Sequence, residues 1–330
     1  MEPEVDFEQL ARDWIRHVRG RRSQRGLSRR LGYESNVLYR WETGRARPSA
    51  STVLSLMQRL GMDVRSRIIE FHGGVPSWLD HVDPTSPDGV ATHLRELRGE
   101  TSIIALAARA HRTRYQITRW LRGSTQPRLS EWLMMIQLCS GRVLDLVAVF
   151  FGDTSVPSVA QQWRRLVATR QAAYDQPESH LVLRALELED YQRLAAHRSG
   201  FIADRLGLSL EQELACLRLL EAAGQIQLVS GKWQTSGEPM VDTRADQRRS
   251  RQLRAFWLRQ AADALESGAA GTFGYNLFSI SQADLDKART LHARYFQELQ
   301  ELVRASRPNE RIVMFATQLY TLDRVPPRPR

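Results

Sequence analysis

Two stretches of this chain repeat one spacing of chemically distinctive residues. Arg40-Trp41-Glu42-Thr43-Gly44 is followed by Pro48, and 79 residues later Arg119-Trp120-Leu121-Arg122-Gly123 is followed by Pro127. Both read R-W-x-x-G-x-x-x-P. Arginine is the residue that could do chemistry here, because its planar guanidinium presents donors in a rigid fork that matches phosphate oxygens. Residues 1–72 hold 14 Arg against 9 acidic residues, and eight of those Arg lie between Arg12 and Arg30. Residues 88–150 hold 9 against 5, whereas 151–330 hold 24 cations against 21 acids over a longer span. The net charge of +10 rests almost wholly on arginine, Lys232 and Lys287 being the two lysines. Composition alone does not indicate phosphate recognition, but the N-terminal concentration marks where an electrostatic footprint would lie.

The elements that must position these residues are helices. Sliding the chain on itself by 79 keeps about 60 residues in register, with Arg19-Gly20 on Arg98-Gly99, Leu27 on Leu106, Leu38 on Ile117, Leu54 on Leu133 and Leu56 on Met135. The shared positions are apolar or turn-forming, the signature of a duplicated small helical domain. In the first copy, Phe7, Leu10, Ala11, Trp14, Ile15 and Val18 follow helical spacing. A second helix runs from Ser23 to Leu31 and stops at Gly32, a residue suited to a left-handed turn. A third begins near Ser35 and passes Val37, Leu38 and Trp41 to Gly44. A fourth, Ser51 to Leu60, closes the core with Val53, Leu54, Leu56 and Met57. Two short helices joined through Leu31-Gly32-Tyr33-Glu34 make a helix-turn-helix.

The string Gln24-x-x-Leu27-Ser28-x-x-Leu31-Gly32-Tyr33-x-x-x-Leu38-x-x-Trp41-Glu42-x-Gly44-x-x-x-Pro48 resembles the phage Cro/repressor-like, or Xre-type, helix-turn-helix family over roughly residues 10–62. Ser28 stands at the family's small crossing position, Leu38 at its buried hydrophobe and Glu42 at its hallmark Glu. The resemblance implies that Ser35, Asn36, Tyr39 and Arg40 project toward base edges, where an amide can pair with adenine and a guanidinium can bridge guanine O6 and N7. It also implies that Gln24, Arg45 and Arg47 contact phosphates.

The second copy keeps Ala107, Ile117 and the R-W-x-x-G-x-x-x-P string, and register makes Arg114, Tyr115, Thr118 and Arg119 its DNA candidates. It departs at three places. His111 replaces Gly32, which strains or reshapes the turn. Ile103 and Ile104 replace Gln24 and Arg25, and Ser124-Thr125-Gln126 replaces Arg45-Ala46-Arg47. DNA contact and docking to another domain or subunit both stay open for it, and so does the choice between a direct and an inverted repeat if both copies bind.

Beyond residue 153 the pattern changes. A connecting helix spans about 159–175, another His180 to Ala195, and then a helix, a Leu-Gly-x-Ser turn, a helix and the alternating pair Ile226–Val229 and Ser230–Trp233 read as a winged helix. Glu211, Glu213 and Glu221 on its supposed reading helix favour a scaffold over a DNA reader. A helix from Ala245 to Ser267 opens on Arg248, Arg249, Arg251 and Arg254. Gly271–Ile280 and Arg311–Leu322 read as strands around a helix from Gln282 to Ala305. The block from about 160 to 323 resembles a C-terminal domain of unknown function found in a family of bacterial helix-turn-helix proteins, through the Leu-Gly-x-Ser turn, Ser279-x-Ser281 and Ile312–Tyr320. Val325–Arg330 reads as a disordered basic tail.

The expected fold class is mainly α: two tandem repressor-like helix-turn-helix bundles, a winged-helix-like module and a C-terminal α+β segment. The expected divisions are 1–72, a linker at 73–88, 89–152, a connecting helix at 153–178, 179–242 and 243–330. Among the eight histidines no H-x-x-x-H spacing occurs, and there is no Cys-x-x-Cys, phosphate-binding glycine loop or G-x-S-x-G elbow, so neither a metal, a cofactor nor an enzyme is expected. Cys139 and Cys216 sit in apolar helical patterns and suit a reducing cytoplasm. No signal peptide or membrane span is expected. The function expected is a sequence-specific DNA-binding transcriptional regulator whose partners are double-stranded DNA, a second copy and a small-molecule or protein effector. The rival is a protein-interaction adaptor that binds no DNA.

Overall fold

Asp6 accepts hydrogen bonds from the backbone N–H of Glu8 and Gln9, which opens α1 (Phe7–Arg19). Ser23, Asn36, Ser49 and Asp63 do the same for α2 (Gln24–Arg30), α3 (Val37–Glu42), α4 (Ala50–Arg59) and α5 (Val64–His72). Each side-chain cap satisfies a donor the helix cannot and contributes about 1 kcal/mol. The computed structural model describes residues 5–152, 156–236, 242, 243 and 245–323. The basic tail Val325–Arg330 lies outside them.

A second run of five helices follows: α6 (Pro87–Arg98), α7 (Ile103–Arg109), α8 (Arg114–Leu121), α9 (Leu129–Ser140) and α10 (Val143–Phe151). Ser86, Ser102 and Thr113 cap the first three. At α9 the equivalent of Ser49 is Arg128, and Glu131 compensates by accepting from the Arg128 N–H at 2.8 Å. The ten helices share one core. Trp14 meets Trp132 edge to face at 6.2 Å and Phe151 at 4.7 Å, so α1 packs on α9 and α10 as well as on its own neighbours.

The segment 73–88 differs from an open linker. Trp78 and Leu79 on a short 3-10 turn, Ser77–Asp80, are buried in that same core, and Ser55 Oγ donates to the Thr85 carbonyl at 3.2 Å. The apolar pair inside an otherwise Pro- and Gly-rich stretch is what folds it inward.

Contact clustering divides the chain into two units, residues 1–170 with 238–245, and residues 171–237 with 246–330; the boundary falls within α11 (Ala160–Asp175). The second unit has its own core of Val182, Leu183, Leu186, Tyr191, Ile202, Cys216, Leu217, Leu220 and Ile226. The helix expected over His180 to Ala195 is broken into α12 (Ser179–Ala185) and α13 (Glu189–Gln192), because Leu188 adopts extended backbone at the start of α13. Then come α14 (Phe201–Leu206), α15 (Leu210–Ala222) and the hairpin β1 (Ile226–Val229) and β2 (Lys232–Thr235), paired antiparallel with Leu228 opposite Trp233. Glu213 does not lie on an exposed face of α15. It is buried and accepts from the Gly200 N–H at 3.1 Å and from the Ala203 N–H, capping α14.

Two long helices, α16 (Gln247–Glu266) and α17 (Gln282–Ala305), complete the unit. The strands expected at Gly271–Ile280 and Arg311–Leu322 do not form; neither segment is paired in a sheet among the described residues. Their β-forming composition is real, but a strand also needs a ladder partner, and neither segment makes ladder bonds among the described residues. Tyr275 and Val313 are 92% and 81% exposed. The fold is mainly α, with one small sheet among the described residues. Among the described residues no helix is long and apolar enough to cross a membrane.

Candidate nucleic-acid interface

The turn between α2 and α3 is fixed by Ser28 and Glu42. Ser28 Oγ donates to the Gln24 carbonyl at 2.8 Å and accepts from the Leu38 N–H at 3.1 Å, so the small crossing residue joins the two helices directly. Glu42 is buried and holds two side chains through three hydrogen bonds: Arg19 Nε donates to Oε1 at 2.6 Å, Arg19 also reaches Oε2 at 3.2 Å, and Gln24 Nε2 donates to Oε2 at 2.7 Å. Breaking a buried, hydrogen-bonded pair of this kind costs roughly 3–5 kcal/mol. Arg19 was visible in the sequence only as part of a repeated Arg-Gly pair; its partner lies 23 residues away, beyond helical spacing.

The expected base-facing residues divide by role. Arg40 and Ser35 are exposed, and Tyr39 is exposed with the Arg45 guanidinium 5.4 Å from its ring centroid. Asn36 is half-buried and caps α3, its Oδ1 accepting from the Tyr39 N–H at 3.3 Å. The helix accordingly starts at Val37, two residues later than the apolar pattern suggested. Of the expected phosphate contacts, Arg45 and Arg47 are exposed in the loop after Gly44, with Arg47 3.2 Å from Glu8. Gln24 commits one amide N–H to Glu42.

On the second copy, Arg114 lies over the Tyr115 ring at 5.1 Å, Thr118 Oγ1 donates to the Arg114 carbonyl, and the Arg119 side chain is exposed. Of these, Tyr115 and Arg119 line a cleft of about 720 Å³ together with Thr113, Gln116, Arg128 and Glu131, whereas Arg114 and Thr118 lie outside its lining. His111 takes the left-handed turn that Gly32 takes in the first copy, φ 49 against φ 87. Leu121 replaces Glu42, and the Arg98 Nε is buried without a hydrogen-bond partner. Ile104 is 71% exposed.

Outside these helices the titratable groups look structural. Burial pushes the thiols of Cys139 and Cys216 up to about 11. His93, wholly enclosed by Phe71, His72, Trp78 and Trp132, is pushed down to about 3 by desolvation and then by His72. Among the described residues no cluster of His, Cys, Asp or Glu is arranged to hold a metal ion.

Comparison with known families matches two stretches of the chain. Residues 13–67 match a helix-turn-helix domain, and residues 158–322 match a Domain of unknown function (DUF4423). No curated protein and no solved structure matches the chain. The helix-turn-helix match, with its exposed arginines, points to a DNA-binding regulator.

Proposed function

The chain belongs to the family defined by the Domain of unknown function (DUF4423), and we propose that it is a sequence-specific transcriptional regulator. α3 enters the major groove, Arg40 reads a base edge with Tyr39 and Ser35 beside it, and Arg45 and Arg47 clamp phosphates. The observation that carries this reading is the pairing of a rigidly held turn, Ser28 and Glu42, with exposed guanidinium groups on and just after α3. A buried network holds the helix so that few degrees of freedom are lost on binding. The repressor-like string and its 79-residue repeat support a Cro/repressor-type duplication. The α14–α15–hairpin order supports a winged-helix-like module, read as scaffold because its helix α15 exposes Glu211 and Glu221. The apolar surface left open on the C-terminal segments supports dimerisation there, with an effector site in the same half. No catalytic step belongs to this reading.

The test is selection of bound sequences from a random duplex library with the intact chain, followed by mobility shift over a salt series. A defined motif and a log–log slope near −4 to −5, about five neutralised phosphates, are expected. An adaptor that binds no DNA would enrich no motif and shift no duplex.

A further inference from the structure

The two copies touch at equivalent residues. Ala50 N–H donates to the Pro127 carbonyl at 3.0 Å, and Leu129 N–H donates to the Pro48 carbonyl at 3.0 Å, an antiparallel bridge of Ser49 with Arg128. In the 79-residue register, Pro48 corresponds to Pro127, Ser49 to Arg128 and Ala50 to Leu129. One bond is therefore exchanged reciprocally between the same positions of the two copies. Only a two-fold relation does this; a translation would join each position to a different one.

Contacts also flank the bridge on both sides, a direct one on one side and one relayed through Glu8 on the other. Ser51 Oγ donates to Gln126 Oε1 on one side. On the other side Ser130, its equivalent, reaches Glu8 at 3.0 Å, and Glu8 pairs with Arg47, the equivalent of Gln126. The copies also turn alike: Gly20 and Gly99 have φ 60 and 51, Gly44 and Gly123 φ 76 and 73. Arg16 donates to the Glu42 carbonyl as Arg95 donates to that of Leu121.

The second copy is also electrostatically equipped. Residues 101–130 contain six arginines, at 109, 112, 114, 119, 122 and 128, and no carboxylate. All six are exposed. The cleft beside α8 is lined by Tyr115, Gln116 and Arg119 of that helix and by Arg128, the residue that bridges to Ser49.

We propose that α8 is a second DNA-reading helix and that a single chain reads an imperfect inverted repeat, α3 on one half-site and α8 on the other. This rests on the DNA-binding reading of α3. Arg40 and Arg119 are the shared reading residue, whereas Ser35, Asn36 and Tyr39 correspond to Arg114, Tyr115 and Thr118. The halves therefore share a guanine at related positions on opposite strands and differ around it. A guanidinium on guanine O6 and N7 is the pairing that would place it there.

The test is methylation interference at guanine N7, with the intact chain on its selected duplex, comparing wild type, Arg40→Ala and Arg119→Ala. Both side chains are exposed, and thermal melting checks that each variant is folded. Two guanines on opposite strands, dyad-related, should interfere in the wild type. Arg40→Ala should erase one and Arg119→Ala the other, each with at least a roughly fivefold loss of affinity. Loss of both guanines with Arg40→Ala alone means two chains each used α3, and overturns the proposal. So does a pair on one strand, or an Arg119→Ala variant that binds like the wild type; both leave α3 as a reader. Absence of any duplex binding removes the α3 reading and this proposal together.

Discussion

At the residue scale, equivalent positions show what the second copy retained and at what cost. Gly32 adopts φ 87 without strain, and His111 keeps the same left-handed turn at φ 49. An L-residue there costs on the order of 1–2 kcal/mol, partly offset by the greater freedom of glycine in the unfolded chain. His111→Gly should therefore stabilise the protein by about 0.5–1 kcal/mol, read as a higher urea midpoint at unchanged slope. An unchanged or lower midpoint would mean that His111 makes a compensating contact. The substitution was legible in the sequence as a strained turn. That the turn survives it was not, because the surrounding Leu106, Ala107, Ala110 and Ile117 core that enforces the turn is a tertiary property.

At the element scale, the first four helices of the first copy were legible to within two residues because their caps and apolar spacing are local signals, whereas α5 (Val64–His72) was not read from the sequence. What joins them was not. Glu42 could be placed at a family position, but its partners Arg19 and Gln24 come from α1 and α2, too far along the chain for periodicity to connect. The aromatic box that ties α5, α6 and α9 to the Ser77–Asp80 turn was equally hidden, and it has a consequence with pH. His93 holds a value of about 3 in the folded protein against about 6.5 unfolded, lowered by burial. Below pH 6.5 the unfolded chain binds the extra proton, so stability is full above that value and falls as pH drops toward 3. His72, also lowered by burial, adds in the same direction. From pH 7.5 to 5.0 this one ring should cost up to about 2 kcal/mol. His93→Phe keeps the aromatic packing and should flatten the dependence of the urea midpoint on pH; an unaltered slope would place the titration elsewhere.

For the whole molecule, the shared core changes what counts as a domain. Residues 1–72 and 89–152 read as two bundles joined by a spacer, yet Trp14, Trp132, Phe151 and the inserted Trp78 close a single interior. Local sequence carries the repeat but not the packing between its copies. The C-terminal unit shows the opposite mismatch: two segments with strand composition stay unpaired, and their side chains Tyr275, Leu277, Val313 and Tyr320 face outward. Surface of that kind costs roughly 25 cal/mol for each Å² left in water. A second copy offers the same two unpaired segments, and homo-oligomers with two-fold symmetry are the commonest solution. Sedimentation velocity should find a dimer at micromolar concentration, and Val313→Asp with Tyr275→Asp should shift it to monomer; a wild-type monomer at all concentrations would remove the dimerisation reading.

The central claim is that the exposed face of α3 reads DNA sequence, and the most direct measurement is a mobility-shift titration on the selected duplex and on a scrambled one. The wild type should prefer the selected duplex. Arg40→Ala should lose about 1–3 kcal/mol of that preference, and Arg47→Ala should weaken both duplexes alike. Equal affinity for the two duplexes in the wild type, or no binding to either, would contradict the account.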